Sequence, residues 1–187
     1  MDVSDADLIL RSRSGDLTAF DALMARYQGL VFTVARACVR ERDAALDISQ
    51  NTFLKAFERL DSLRDKASFR PWIARIARHE AITWARRNRR RRECLGSIDP
   101  DDVGLADTAL SQEAQLLSDE RDNRLAELLD RLNRRYRLTM SLRYVEGMSV
   151  AEIAAVLRCS EGMVKNMLFR SVRKLRRELA EGTRQMP

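Results

Sequence analysis

The chain is 187 residues long, with 45% hydrophobic and 33% charged residues, a net charge of +6, and only seven glycines and three prolines. This composition favours helices over a loop-rich β fold. No run of about eighteen apolar residues is present, which excludes a transmembrane helix, and the acidic N-terminus lacks the layout of a secretion signal. We therefore expect a cytoplasmic protein without direct insertion into a membrane.

The charges fall into three blocks. Residues 1–92 carry a net charge of +7, residues 93–122 carry −8, and residues 123–187 carry +7. Two basic blocks joined by an acidic connector are typical of two modules that bind a polyanion and a spacer that the polyanion repels. Nucleic acid is the polyanion that we expect.

The first block predicts four consecutive amphipathic helices. Ser4 caps a short first helix, and the second follows Asp16. The third begins near Asp43, and the fourth starts around Ser68 and Pro71, because proline suits a first helical turn. Apolar residues of the second helix lie on one face: Phe20, Leu23, Tyr27, Val31, Val34 and Cys38. The third helix has a similar stripe: Leu46, Phe53, Phe57 and Leu60.

The connector from Glu93 to Ala109 shows no sustained apolar period, which predicts a flexible linker. Helices resume near Ser111, and no segment alternates as a half-buried strand would. The predicted fold is all-α: two small helical domains joined by a flexible acidic linker. The proposed boundaries are 1–92 for the first domain, 93–112 for the linker and 113–187 for the second domain.

The second domain contains a pattern typical of a helix-turn-helix. Residues 149–152, Ser-Val-Ala-Glu, form a capping box that opens one helix, and residues 158–160 form a short turn before a second helix. The second helix combines an apolar stripe with a basic face. A solvated charged helix packed on its neighbours would also show such a face, but the capping box and the tight turn together favour DNA binding.

The third and fourth helices carry two further polar patterns. Asp47, Gln50, Asn51 and Lys55 lie near one face of the third helix, which suits docking on a partner helix, although a solvated face is the alternative. In the fourth helix, aromatic residues alternate with arginines, a combination that suits unpaired DNA bases and their phosphates. Trp72 is expected in the core, and Trp84 is the better candidate for an exposed ring. The arginine run at 86–92 should make binding sensitive to salt.

The chain offers no pattern for catalysis or metal binding. Cys38, Cys94 and Cys159 are far apart, and His79 is the single histidine. There is no paired carboxylate beside a basic cleft, no glycine-rich phosphate loop and no histidine–cysteine constellation. We therefore expect reduced cysteines, no metal, no cofactor, no catalytic residue and no enzyme activity, which argues against a nuclease.

Segments from both domains resemble sigma factors of the extracytoplasmic-function (ECF) type, in the sigma-70 family of RNA polymerase subunits. Similarity to region four lies at residues 135–138, 142–149, 151–154 and 160–165. Similarity to region two lies at residues 15–20, 26–27, 47–50, 53–54 and 69–78. The order and the linker between the two sets are also those of the family. The resemblance implies a factor that directs core polymerase to specific promoters.

Region four of the family reads the promoter's −35 element and touches the flap of the polymerase β subunit. The resemblance implies these −35 contact residues: Lys165, Asn166, Met167, Phe169, Arg170 and Arg173. Methionine stands at 163, where the family usually has threonine, and at 167, where arginine is common. Because methionine cannot donate a hydrogen bond to guanine, reading of a guanine there is not expected.

Region two of the family binds the clamp helices of the polymerase β′ subunit and opens the −10 element. The implied polymerase contacts are Asp47, Gln50, Asn51, Phe53 and Leu54. The loop at 61–68 would accept a flipped base. The implied −10 contacts are Phe69, Arg75, Arg78, His79, Thr83, Trp84, Arg86 and Arg87. Ser49, His79 and Thr83 depart from the usual aliphatic residue, asparagine and aspartate, so the preferred −10 bases are left open.

Two further expectations concern regulation. A stand-alone transcription regulator would bind duplex DNA tightly without polymerase and would hold a ligand pocket, but the basic aromatic helix at 69–92 argues against it. Many members of the family are held inactive by a membrane-linked anti-sigma factor until a stress signal releases them. The resemblance therefore implies an anti-sigma factor as a third partner, besides RNA polymerase core and promoter DNA.

Overall fold

The computed structural model describes residues 3–65, 68–94 and 129–183, and every regular element in these ranges is a helix. The chain divides into two compact units, and the main boundary, between residues 98 and 99, lies inside the segment that is not described. The prediction of an all-α fold with two domains is confirmed. Most of the predicted linker at 93–112, the helix expected from Ser111 and the start of the second domain at 113 lie outside the described residues, so those boundaries stay predictions.

In its described residues, the N-terminal unit has four long or medium α-helices and a 3₁₀ turn after the third of them. They are α1 (Asp5–Arg13), α2 (Leu17–Cys38), α3 (Arg42–Glu58), the turn at Leu60–Ser62, and α4 (Phe69–Cys94). The predicted cap is present, since the Ser4 side chain accepts a hydrogen bond from the Asp7 amide. Asp16 caps α2 by accepting from the amides of Thr18 and Ala19. Hydrogen bonds from Thr18 and Arg11 lower the pKa of Asp16 to about 2.

The long helix α2 packs against α1, α3 and α4 and forms the centre of the N-terminal core. Its predicted apolar stripe is confirmed, because all six residues are buried. Trp72 is also in the core, as expected. The stripe on α3 is only half right: Phe53 and Leu60 are buried, whereas Leu46 and Phe57 are each 44% exposed, since no element of this unit covers them.

Between residues 134 and 183, the C-terminal unit is built from three α-helices and one π-helical turn. They are α5 (Arg134–Met140), the turn at Ser141–Val145, α6 (Val150–Leu157) and α7 (Glu161–Thr183). The predicted capping box is present, with the Ser149 hydroxyl accepting from the Glu152 amide at 3.2 Å and the Glu152 carboxylate accepting from the Ser149 amide at 2.8 Å. α6 ends at Arg158, and the Ser160 hydroxyl accepts from the Met163 amide at the start of α7.

Helices α6 and α7, with the turn between them, form the predicted helix-turn-helix. The apolar side chains of both helices face inwards, with Ile153, Val156 and Val164 fully buried. Farther along α7, Leu168, Val172 and Leu175 pack on Leu129 and its neighbours. The outer face of α7 carries mostly polar and charged side chains, together with the exposed Met163 and Phe169. No helix among the described residues is long and apolar enough to cross a membrane.

Candidate nucleic-acid and partner-binding surfaces

One side of α3 presents most of the predicted partner-binding residues together. Asp47, Gln50, Asn51 and Leu54 are exposed and lie one turn apart along the helix. Phe53 is the exception, because it is buried and its ring lies in the wall between α3 and α2. Phe53 is therefore corrected from a surface contact to a residue that supports this face from beneath.

An apolar groove lies between α2 and α3, beside that polar face. It encloses about 890 Å³. The residues that line it are mostly apolar: Leu17, Phe20, Asp21, Met24, Gln28, Phe32, Arg42, Leu46, Ser49, Gln50, Phe53, Leu54 and Phe57. The rings of Phe20 and Phe57 meet edge to face, with centroids 4.9 Å apart. Gln50 and Leu54 belong both to the groove and to the exposed face of α3, so the two surfaces are continuous.

The basic face of α4 is largely accessible. His79, Arg86 and Arg87 are exposed, and a second group is half-buried: Arg75, Arg78, Thr83 and Trp84. Phe69 does not belong to this face, because it is 1% exposed and packs between Tyr27 and Trp72, with ring centroids 5.1 and 5.5 Å away. The prediction that Phe69 contacts DNA is therefore wrong for this conformation.

The loop between α3 and α4 is described over residues 60–65 and at Ser68, while residues 66 and 67 lie outside the described range. Asp61, Ser62, Arg64 and Asp65 are exposed, and Ser68 donates a hydrogen bond from its hydroxyl to the Asp65 carboxylate at 2.6 Å. The loop thus presents polar side chains at the beginning of the basic face of α4.

A buried carboxylate connects α3 with α4. Glu80 accepts a hydrogen bond from the Lys55 ammonium at 2.5 Å, and its other oxygen lies 3.3 Å from Nδ1 of His79. Burial raises the pKa of Glu80, but the hydrogen bonds and charges of Lys55 and His79 outweigh burial and hold this pKa below its usual value. Lys55, which the sequence placed on the docking face, thus points to α4.

The outer face of α7 presents the predicted duplex-reading residues. Exposed along it are Lys165, Asn166, Phe169, Arg170 and Arg173. Met167 is 6% exposed, and its sulfur lies 3.8 Å from the Thr139 hydroxyl. Met167 is therefore corrected from a DNA contact to a core residue, and its departure from the family pattern has no direct bearing on base reading. Met163 is exposed and accepts a hydrogen bond from Arg135 at 3.0 Å.

Three features of these surfaces were missed in the sequence: the groove, the contact of Lys55 with Glu80, and hydrogen bonds from Arg13 to the loop after α3. The sequence held no signal for the groove, because Leu46 and Phe57 share the apolar stripe of α3 with the buried Phe53 and only the structure shows that they are exposed. Among the described residues, no group of three His, Cys, Asp or Glu side chains is arranged to hold a metal ion.

Comparisons with known proteins find two parts of one family in this chain. The family model for sigma-70 region 2 matches residues 23–91, and that for sigma-70 region 4 matches residues 122–175. The first covers α3, the loop and α4, and the second covers the helix-turn-helix. These matches define the protein as a DNA-binding transcription initiation factor of the sigma-70 class, which is not in itself an enzyme.

Full-length relatives narrow this class. The chain is 30% identical to the RNA polymerase sigma-H factor of Pseudomonas aeruginosa over 172 residues, 89% of each protein. It is 30% identical to the ECF RNA polymerase sigma-E factor of Escherichia coli K12 over 174 residues, 90% of this chain and 91% of that one. The chain belongs to the ECF sigma factors of the sigma-70 family. It directs core RNA polymerase to specific promoters and initiates transcription.

Solved structures show the same fold. The structure of CnrH in complex with the cytosolic domain of CnrY aligns with a TM-score of 0.70 and 26% identity, and covers 95% of this chain and 97% of that one. The sigma factor RpoE of Bartonella quintana, in complex with the anti-sigma factor NepR, aligns with a TM-score of 0.69 at 22% identity over 86% of this chain and 96% of that one. At 22% identity, the similarity to RpoE shows a common fold only.

Proposed function

We propose that this sigma factor uses one surface for each of its tasks. The outer face of α7 reads duplex DNA at the −35 element, and α4 with the preceding loop captures unpaired bases of the −10 element. The exposed face of α3 binds the β′ clamp helices, and the C-terminal unit touches the β flap. Two basic helix faces in separate units of one chain carry this proposal. A protein with these partners works in the cytoplasm.

The chemistry of α7 supports duplex reading. Asn166 and Arg170 each offer paired hydrogen-bond donors or acceptors of the kind that match base edges in the major groove, whereas Lys165 and Arg173 suit phosphates. Phe169 adds an exposed ring that can pack on a thymine methyl group. Removal of Phe69 and Met167 from the proposed contacts leaves the basic character of both DNA surfaces unchanged.

The chemistry of α4 supports strand capture. Arg75, Arg78, Arg86 and Arg87 supply positive charge along the helix, and the half-buried Trp84 offers part of its ring for stacking. Melting costs several kcal/mol, which capture of the displaced strand and of a flipped base must offset. Because polymerase holds both modules, binding of one module to the promoter raises the effective concentration of the other at its own element. A modest affinity at each surface is therefore sufficient for promoter binding.

The groove supports regulation by an anti-sigma factor. Its apolar lining suits the apolar face of an amphipathic helix. Gln50 and Leu54 belong both to the groove and to the proposed polymerase-binding face, so a helix bound in the groove would compete with the β′ clamp. The similar structure of CnrH holds the cytosolic domain of CnrY as a partner. We propose that an anti-sigma factor of this chain blocks polymerase binding at this place.

Run-off transcription tests the proposal. Core polymerase with and without the chain is supplied with a genomic promoter library, and the expected result is a specific set of transcripts that appears only when the chain is present. If core polymerase does not bind the chain, or if initiation is unaltered by it, the proposed function is wrong.

Inhibition by an anti-sigma factor is tested separately, by purifying the chain with its bound partners from unstressed native cells. An inhibitory partner should copurify with the wild type and be lost in Leu46→Asp, which places a charge in the groove. Leu10→Asp is the matched control, because Leu10 has similar exposure (47% against 44%) but lies on α1. Recovery of the wild-type chain alone and fully active would count against an anti-sigma factor.

A further inference from the structure

Arg13, in the last turn of α1, binds the segment of chain that follows α3. Its Nη2 donates hydrogen bonds to the carbonyl oxygens of Leu60 at 2.7 Å and Leu63 at 2.5 Å. Its Nε lies 3.6 Å from a carboxylate oxygen of Asp61. One guanidinium therefore contacts three residues within a four-residue segment, about fifty positions away in the sequence.

The surroundings of Arg13 show that these contacts form the inner side of the loop. Leu60 and Leu63 are buried, and the Arg13 side chain is mostly shielded from solvent. The side chain of Asp61, in contrast, is 91% exposed, and Ser62, Arg64 and Asp65 also face solvent. The segment is therefore held by its backbone and its apolar side chains, while the side chains of Asp61 and Ser62 lie at the surface.

Arginine suits this position for a physical reason. A carbonyl oxygen has two lone pairs, and that of Leu60 accepts from the Leu63 amide at 3.2 Å and has room for a second donor. A guanidinium carries several donors in a rigid plane, whereas a lysine ammonium is a single point on a flexible stem. Hydrogen bonds from a charged donor are also stronger than those from a neutral one. Arg13 therefore fixes both ends of the segment 60–63 at once.

We infer that Arg13 is a positioning residue for the loop that accepts the unpaired −10 base, an inference that rests on the proposed function of that loop. Arg13 does not touch DNA in this arrangement. It orders the backbone from which the exposed residues 61, 62, 64 and 65 project. A loop that is ordered in advance loses less conformational entropy when a base binds, so affinity and base discrimination both increase.

The test compares the wild type with Arg13→Gln and Arg13→Lys, each as the full chain bound to core polymerase. Arg11→Gln is the control, because Arg11 lies on the same helix but pairs with Asp16 instead of the loop. The probe is the single-stranded −10 segment of a promoter selected in the run-off experiment, with each position replaced in turn by the other three bases. Affinity for core polymerase and the thermal unfolding temperature are measured in parallel.

We expect Arg13→Gln to weaken binding of the preferred strand by about tenfold, the scale of one lost charge-assisted hydrogen bond, and to reduce discrimination at one position. Arg13→Lys should be intermediate, and Arg11→Gln should match the wild type. The affinity of each variant for core polymerase should stay within about twofold of the wild-type value, which is a smaller change than the loss of one charge-assisted hydrogen bond would cause. If Arg13→Gln does not fold, Arg13→Lys keeps the charge and provides the same comparison.

Two results would overturn the inference. Base discrimination that survives in the folded Arg13 variants would show that the loop does not need this anchor, and an equal loss of core binding would show a general structural role. Failure of the proposed function looks different. In that case the wild type itself would prefer no base at any −10 position, and the inference about Arg13 would be wrong together with the proposed function of the loop.

Discussion

The ammonium of Lys55 on α3 lies 2.5 Å from the carboxylate of Glu80 on α4, and this ion pair joins the proposed polymerase-binding helix to the proposed strand-binding helix. Glu80 is mostly buried, so its contact is better shielded from solvent than the exposed pair of Arg11 with Asp16. A buried carboxylate that loses its partner is costly, and the pair therefore fixes the relative position of the two helices within the N-terminal unit.

The first prediction is a pH dependence of stability that Glu80→Gln reduces. The pKa of Glu80 is lowered in the folded chain, so its stabilising contribution is present above the unfolded pKa of about 4.3 and is lost as the pH falls through the folded pKa. The wild type should unfold at a higher temperature than Glu80→Gln at neutral pH, and the difference should shrink as the pH falls below the unfolded pKa and through the lower folded pKa.

Thermal unfolding followed by circular dichroism at several pH values checks this prediction. Lys55→Met is the companion variant, because it removes the other partner and leaves the carboxylate buried. It should be less stable than Glu80→Gln at neutral pH. A constant difference between the wild type and Glu80→Gln across the pH range would contradict the role of this carboxylate.

Local features of the fold were predicted well because their signals are local. The capping box of Ser149 and Glu152 depends on residues three apart, and the buried stripe of α2 follows from helical periodicity. The groove beside α3 was missed for the same reason. Periodicity shows that Leu46 and Phe57 share a face with Phe53, but it does not show whether another element covers that face.

The site residues show the same limit. The resemblance to the family placed Phe69 and Met167 among the DNA contacts by their position in the chain, which does not show whether a side chain points inwards, and both are buried. Whether Phe69 and Met167 are buried depends on their neighbours in the fold. Those neighbours include Tyr27 and Thr139, which are distant in sequence. The anchor from Arg13 to Leu60 had no sequence signal at all, because a lone arginine near a helix end is common.

The second prediction concerns the face of α3. Asp47→Ala combined with Gln50→Ala should weaken binding of core polymerase by about tenfold or more, since each lost hydrogen bond to a charged partner is worth about 1.5 kcal/mol. Both residues are exposed, so the fold should stay intact. Fluorescence anisotropy of the labelled chain measures the affinity. Arg59→Ala, an exposed change just after the same helix, is the control, and equal affinity of the double variant and the control would refute the assignment.

The third prediction concerns Arg170 on α7. If its guanidinium contacts a base pair with two hydrogen bonds, Arg170→Ala should reduce discrimination between promoter and altered −35 sequences by about 1–3 kcal/mol. Arg176 lies farther along the exposed side of α7. Arg176→Ala should weaken the binding of holoenzyme to all −35 sequences by the same factor. Binding of holoenzyme to a panel of −35 variants separates the two results. A uniform loss in Arg170→Ala would assign Arg170 to a phosphate.

The fourth prediction concerns the turn of the helix-turn-helix. Arg158 adopts a left-handed backbone conformation, with φ of 53°, which is unfavourable for a residue that carries a Cβ atom. Arg158→Gly should raise the free energy of unfolding by up to about 1 kcal/mol, because glycine relieves this strain but also gains freedom in the unfolded chain. Urea unfolding of the full chain measures the change. A clear loss of stability would mean that the Arg158 side chain makes contacts that outweigh the strain.

The fifth prediction concerns salt. Arg86 and Arg87 are exposed at the far part of α4, where the proposed strand lies. Each phosphate contact on a single strand contributes about 0.7 to the slope of log affinity against log salt concentration, because binding releases counterions. The double variant Arg86→Gln, Arg87→Gln should therefore lower this slope by about 1.4 if both side chains bind phosphates.

Titration of holoenzyme with the single-stranded −10 segment at several salt concentrations gives this slope. Base discrimination should stay unchanged, since phosphate contacts carry no sequence information. This separates Arg86 and Arg87 from the loop anchored by Arg13, where the opposite result is expected. A double variant that keeps the wild-type slope would show that the strand does not follow α4 as far as these two residues, and would confine the −10 surface to the first half of the helix.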